Sequence, residues 1–128
     1  AFRVRASGYI TGDITTNATV RLAYGTSATG ASNTVVEAST ARAVNSTTRP
    51  FDIEVIMVTD SVVKVAVGRG TSQIGNTLDA WAAINNTVTI DPALDDGTQA
   101  FVCSIEFSED DAQNSAFLKN FYLEVLDA

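Results

Sequence analysis

The chain has 128 residues, 45% of them hydrophobic and 18% charged, and a net charge of −7. That is enough for one well-filled core spanning residues 1–128 and too little for a typical multi-domain enzyme, and the apolar share excludes intrinsic disorder. So acidic a chain, with only two Lys, is a poor ligand for a phosphate backbone, which argues against nucleic acid as a partner.

The opening segment from Phe2 to Ile14 reads as a strand interrupted by Gly8 and Gly12, both placed where bulges are expected. From Asn17 to Gly25 the pattern alternates: Val20, Leu22 and Tyr24 share one face, with Thr19, Arg21 and Ala23 on the other. A short strand over Thr34 to Ala38 follows the loop Gly25 to Asn33, and a second turn-rich stretch runs from Ser39 to Pro50. Period-two alternation returns in Phe51 to Val58, where Phe51, Ile53, Val55 and Met57 point inward against Asp52 and Glu54. The next run sets Val63, Val65 and Val67 inward against Val62, Lys64 and Ala66, and Gly68 to Asn76 reads as turn.

Thr77 to Ala83 is the one internal segment with a helical pattern, placing Leu78, Trp81 and Ala82 on one face. Strands are expected again through Ile84, Asn86, Val88 and Ile90, then through Phe101, Cys103, Ile105 and Phe107, with the acidic turn Asp91 to Gly97 between them. Ser108-Glu109-Asp110-Asp111 matches a capping box that would open a single helical turn before Asn114. A final strand would bury Phe117, Phe121, Leu123 and Val125 on one side. Together these segments predict an all-β domain, an antiparallel β-sandwich of about eight strands, since crossover helices for a parallel sheet have no room.

Most of the common catalytic chemistry is missing from the residue set. There is no His, which removes Ser-His-Asp and Cys-His arrangements, and one Cys permits neither an internal disulfide nor an ordinary zinc site. Cys103 falls in register with phenylalanines, the position of a small core residue rather than a nucleophile. Gly68-Arg69-Gly70 lacks the third glycine and the following helix of a phosphate loop. Two acidic clusters, Asp91 with Asp95 and Asp96, and Glu109 with Asp110 and Asp111, follow neither a calcium-loop spacing nor any pattern that marks them as catalytic. No enzyme activity, metal or cofactor is therefore expected. No apolar run is long enough for a transmembrane helix and the first residues lack a signal-peptide core, so a soluble chain without a membrane partner is expected. The sequons at Asn17, Asn45 and Asn85 are what so Ser- and Thr-rich a chain produces by chance.

Two features bear on partners. Residues 1–50 hold five Arg against two acids, whereas residues 51–128 hold three basic against thirteen acidic side chains, so basic and acidic faces of successive copies could meet. Aromatic residues form the second feature: Trp81, Tyr9 and Tyr122 are the candidates for stacking on sugar rings, although the apolar surroundings of Trp81 suit core or a subunit interface.

Gly25-Thr26-Ser27, the stretch Thr71-Ser72-Gln73-Ile74-Gly75-Asn76-Thr77-Leu78-Asp79-Ala80-Trp81-Ala82-Ala83-Ile84, and the run Phe107-Ser108-Glu109-Asp110-Asp111-Ala112-Gln113-Asn114-Ser115-Ala116 give the chain a particular style. In this it resembles the single jelly-roll decoration, or cement, proteins on the heads of tailed bacteriophages. The resemblance implies a virion structural protein on the outer capsid surface that self-associates, commonly as a trimer, and clamps the major capsid protein. Candidate contact residues are Arg3 and Arg5 in the basic N-terminal segment and Arg42 and Arg49 flanking the loop Ser39 to Pro50, because Arg pairs bidentately with carboxylates at interfaces. The alternative function is a carbohydrate-binding β-sandwich module of a tail fibre or a secreted protein.

Overall fold

The computed structural model describes residues 1–29, 32–60, 65–84, 88–89 and 99–126. Its strands are β1 (Phe2–Thr11), β2 (Asn17–Gly25), β3 (Thr34–Ala38), β4 (Arg42–Ala43), β5 (Arg49–Asp60), β6 (Val65–Ile74), β7 (Thr77–Ala83), β8 (Val88–Thr89), β9 (Ala100–Phe107) and β10 (Ser115–Val125). They form two antiparallel sheets packed as a β-sandwich. The larger, six-stranded sheet runs β10-β1-β5-β6-β7, with β8 also on β6; the smaller, four-stranded sheet runs β3-β2-β4, with β9 on the other side of β2.

The chain passes from one sheet to the other at both ends, pairing β1 with β10 in one layer and β2 with β9 in the other. The middle differs, because β5, β6 and β7 pair in sequence as a meander within one sheet. Their last connection is tight. Ile74 pairs with Thr77 across a two-residue turn whose Gly75 adopts a φ of +61°, a backbone angle that favours glycine.

The core lies between the sheets, as the alternation predicted for most strands. Val4, Ala6 and Ile10 of β1 and Phe51, Ile53, Val55 and Met57 of β5 face Val20, Leu22 and Tyr24 of β2, with Phe101, Cys103, Ile105 and Phe107 of β9 packed at the flank. Phe101 lies 4.9 Å from the Tyr24 ring and 6.0 Å from the Phe2 ring, centroid to centroid, so one aromatic group braces both layers.

Four expectations need correction. On β6 the parity is reversed: Ala66 is buried and Val67 is 48% exposed. The register explains it, because Thr59 pairs with Ala66, Met57 with Gly68, Val55 with Gly70 and Ile53 with Ser72, so the small residues meet the large inward ones of β5. Gly68 to Ile74 is accordingly strand rather than turn. Thr77–Ala83 is strand β7 and not a helix: the tight turn feeds it straight back along β6, and pairing outweighs a weak helical pattern. The segment after Ser108 forms bends and a turn closed by the Asn114 N–H on the Asp111 carbonyl at 3.0 Å, without a helical turn.

The fourth correction concerns β10, which was expected to bury one face. All eleven of its residues are exposed. In addition, the register shift at Ser7/Gly8 leaves Lys119 as an extra residue, so Phe117 pairs with Tyr9 on the outer face while Phe121 and Leu123 pair with Ala6 and Val4 on the inner one. Of the expected strand through Ile84 to Ile90, Val88–Thr89 form β8 and Ile84 follows the end of β7, while Asn86 and Ile90, like Val62, Val63, Lys64 and the acidic turn Asp91 to Gly97, lie outside the described residues.

The close approach of β5 and β6 gives a direct test. A Cβ on Gly68 would collide with the backbone carbonyl oxygen of Ile56 and come within 2.9 Å of the Met57 Cα. Gly68→Ala is expected to lower unfolding free energy by about 2–3 kcal/mol in a urea titration; an unchanged midpoint would contradict this packing.

Candidate functional site

Sequence reasoning pointed to four arginines, and each is found with an intramolecular partner. Arg3 and Arg5 alternate with inward-facing Val4 and therefore project from the outer face of the large sheet, between β10 and β5. Arg3 joins Glu54 at 2.6 Å and Glu124 at 3.1 Å. Arg5 forms a forked pair with both oxygens of Asp52 and is held charged by that contact first and by Tyr122 second. These half-exposed pairs contribute less than about 1 kcal/mol each, but together they set the order of groups across the sheet.

Arg42 and Arg49 sit elsewhere. Arg49, at the start of β5, donates from Nε to the Val44 carbonyl at 3.0 Å and has no carboxylate partner among the described residues. Arg42 reaches across to the large sheet and donates to Asp79 at 2.7 Å. That contact belongs to a polar cluster that sequence reasoning missed.

Two bulges create the cluster. On β3, Leu22 pairs with Glu37 and Ala23 with Val35, leaving Val36 as an additional residue, so Val36 and Glu37 are both buried. On β7, Gly70 pairs with Ala82 and Ser72 with Asp79, leaving Ala80 and Trp81 opposite Thr71 alone. The Asp79 carboxylate accepts from the Thr40 N–H at 2.8 Å, Thr40 Oγ1 at 3.0 Å, Arg42 Nη2 at 2.7 Å and Ser72 Oγ at 3.2 Å. Burial alone would push Asp79 up, but these hydrogen bonds outweigh it and hold the carboxyl below its ordinary value. Asp79 is thus a clamp between the layers, gripping the segment before β4 from β7. Glu37 has the opposite fate. It is 7% exposed, its carboxyl occupies the space a side chain at Gly70 would fill, and burial followed by the nearby Asp79 charge raises its pKa to about 7 despite the Ala38 N–H.

Cys103, facing the core, is pushed up to about 11 by burial, which removes thiolate character at neutral pH. Among the described residues no group of three or more His, Cys, Asp or Glu is placed to share a metal ion.

Two apolar surfaces remain. Trp81 is 41% exposed and not core; with Ile56, Val58 and Arg69 it lines a shallow groove on the outer face of the large sheet, where the β7 bulge turns it. The larger surface is β10 with its surroundings: Phe117 61%, Leu118 48%, Phe121 41%, Tyr122 41%, Leu123 55% and Val125 78% exposed. Inner-face Phe121 and Leu123 line a second groove with Val4 and with Phe101 of the smaller sheet. Comparison with protein-family models, curated proteins and solved structures finds no match to this chain.

The buried carboxyl gives a pH prediction. The native pKa of Glu37, about 7, lies above its ordinary 4.5, so the folded state binds this proton more tightly than the unfolded chain does. The resulting stability is complete below about 4.5 and is lost as the pH rises through 7. Glu37→Gln, which keeps the neutral form, is expected to stabilise the protein at pH 8 by on the order of 1–3 kcal/mol, with the gain shrinking toward zero at the acidic end. Thermal melts of both proteins across this range check it; a pH-independent difference would contradict the assignment.

Proposed function

We propose that this protein is a virion structural protein of the decoration or cement type, which self-associates and binds the major capsid protein on the outside of a phage head. The observation that supports this reading is β10: an eleven-residue edge strand, paired on one side with β1 and on the other with nothing among the described residues, carrying six large apolar side chains in solvent. A row of unpaired N–H and C=O groups beside an apolar surface of that extent is what natural monomers avoid and what assembling subunits use.

The large sheet has two such edges, β10 and β7. Pairing β10 of one copy with β7 of the next is a heterologous contact, and heterologous contacts that close give rings, of which the trimer is the smallest. The arginines fit the same purpose. Each guanidinium has five N–H donors, more than its intramolecular partners use, so Arg3, Arg5, Arg42 and Arg49 keep donors for carboxylates of a neighbouring subunit. An assembly role needs no titrating group; it needs a stiff scaffold and surface to spare.

Sedimentation velocity together with co-sedimentation on purified heads that lack the protein tests this reading. Wild-type protein should self-associate and pellet with the heads, and Phe121→Ser combined with Leu123→Glu should weaken both by at least about tenfold, given the apolar area removed. The variant should keep the wild-type circular dichroism, since both positions are exposed. A wild-type protein that stays monomeric and leaves heads untouched would overturn the proposal.

A further inference from the structure

A groove of about 480 Å³ crosses the outer face of the large sheet. Its floor is low because Ser7 and Gly8 of β1 are small where the extra residue of β10 is accommodated, and because Gly75 caps the neighbouring hairpin turn. Its walls come from four strands: Lys119 and Asn120 of β10, Tyr9 of β1, Asp52 of β5 and Gln73 of β6. The volume suits one or two sugar rings rather than a protein segment.

The chemistry of the walls narrows the ligand. Tyr9 is 43% exposed and offers a ring for stacking against the C–H face of a pyranose. Gln73 donates its amide Nε2 to the Gly75 carbonyl at 2.9 Å, leaving its amide oxygen without a partner among the described residues. Among the described residues Asn120 makes a long side-chain contact of 3.5 Å to Ser7. These amide and hydroxyl groups supply donors and acceptors side by side, the pattern that adjacent sugar hydroxyls require.

Charge makes the choice more specific. Asp52 is neutralised by Arg5. Of the described Lys and Arg side chains, Arg3, Arg5, Arg21 and Arg42 are paired with carboxylates, whereas Arg49, Arg69 and Lys119 have no carboxylate partner among the described residues. One of these last three, Lys119, stands in the wall of this groove, whereas Arg49 pairs with inward-facing Ile10, donates to the Val44 carbonyl and is not part of the lining. With Asp52 neutralised, Lys119 gives the groove a cation with no carboxylate partner among the described residues, which favours an anion there.

We propose that this groove binds a carboxylated saccharide, of the uronic or sialic acid class, with Tyr9 stacking on the ring and Lys119 receiving the carboxylate. This is a second activity, independent of self-association, and it would let a particle-bound copy hold an acidic glycan surface.

Saturation-transfer NMR and calorimetry on the intact protein test it, with trigalacturonic acid as the acidic probe and galactotriose as the neutral one. The acidic trisaccharide should bind at least about fivefold more tightly than the neutral one, an advantage that shrinks in high salt because the charges are exposed. Tyr9→Ala should reduce affinity for the acidic probe about tenfold, and Lys119→Met should erase most of its preference over the neutral one. Both positions are exposed, so matching thermal melts separate lost binding from lost folding. Absence of saturation transfer from the acidic trisaccharide, equal binding of both sugars, or unchanged affinity in both variants would overturn the proposal. None of these results bears on whether β10 assembles.

Discussion

The two sheets of this sandwich are unequal in width, and much of the molecule's behaviour follows from that mismatch. Six strands stand over four. A sheet buries its apolar face only where another layer covers it, and here β10 stays exposed along its whole length. Phe121 and Leu123 face inward by register yet remain largely in solvent, lining a groove together with Phe101 of the smaller sheet. The cost of that exposure is tolerable in a single copy because β1, β5 and β2 supply a complete core, and it becomes favourable burial when a neighbour covers the edge.

Polar side chains hold this frame together. The outer face of the large sheet is ordered by Arg3 and Arg5 with Glu54, Glu124 and Asp52, and the layers are joined by the three hydrogen bonds that Thr40 and Arg42 donate to Asp79. Glu37 and Asp79 have pKa values displaced in opposite directions, a pattern that in a cleft would suggest acid and base roles. Here Glu37 is almost completely enclosed and fills the space over Gly70, so the pair is read as interlayer structure whose stability varies with pH.

Much of the fold was legible from period-two alternation, because the inward residues of β2, β5 and β9 are large, apolar and uninterrupted. Legibility was partial at the bulges. Gly8 marked the place of the β1–β10 register shift, but the extra residues themselves, Val36 beside Glu37, Ala80 with Trp81, and Lys119, sit in ordinary-looking sequence, and each changes which side of its strand faces inward. It failed on β6, whose inward residues Ala66, Gly68, Gly70 and Ser72 are small because β5 supplies the bulk, so the apolar signal pointed to the wrong face. The arginines could be picked out by type, but their carboxylate partners could not, since pairing across strands depends on register. The same limit hid the Asp79 clamp and the Lys119 groove, which gather residues from strands far apart in sequence.

The central claim is that the uncovered β10 edge is where copies meet one another or the shell. Amide hydrogen exchange read residue by residue, on dilute protein and on the assembled or head-bound form, tests it most directly. The account predicts that the backbone amides of Phe117 to Val125 that do not bond to β1 exchange quickly in the free protein and slow sharply on assembly. Equal exchange of those amides in the free and assembled states, with protection arising on another face, would contradict it.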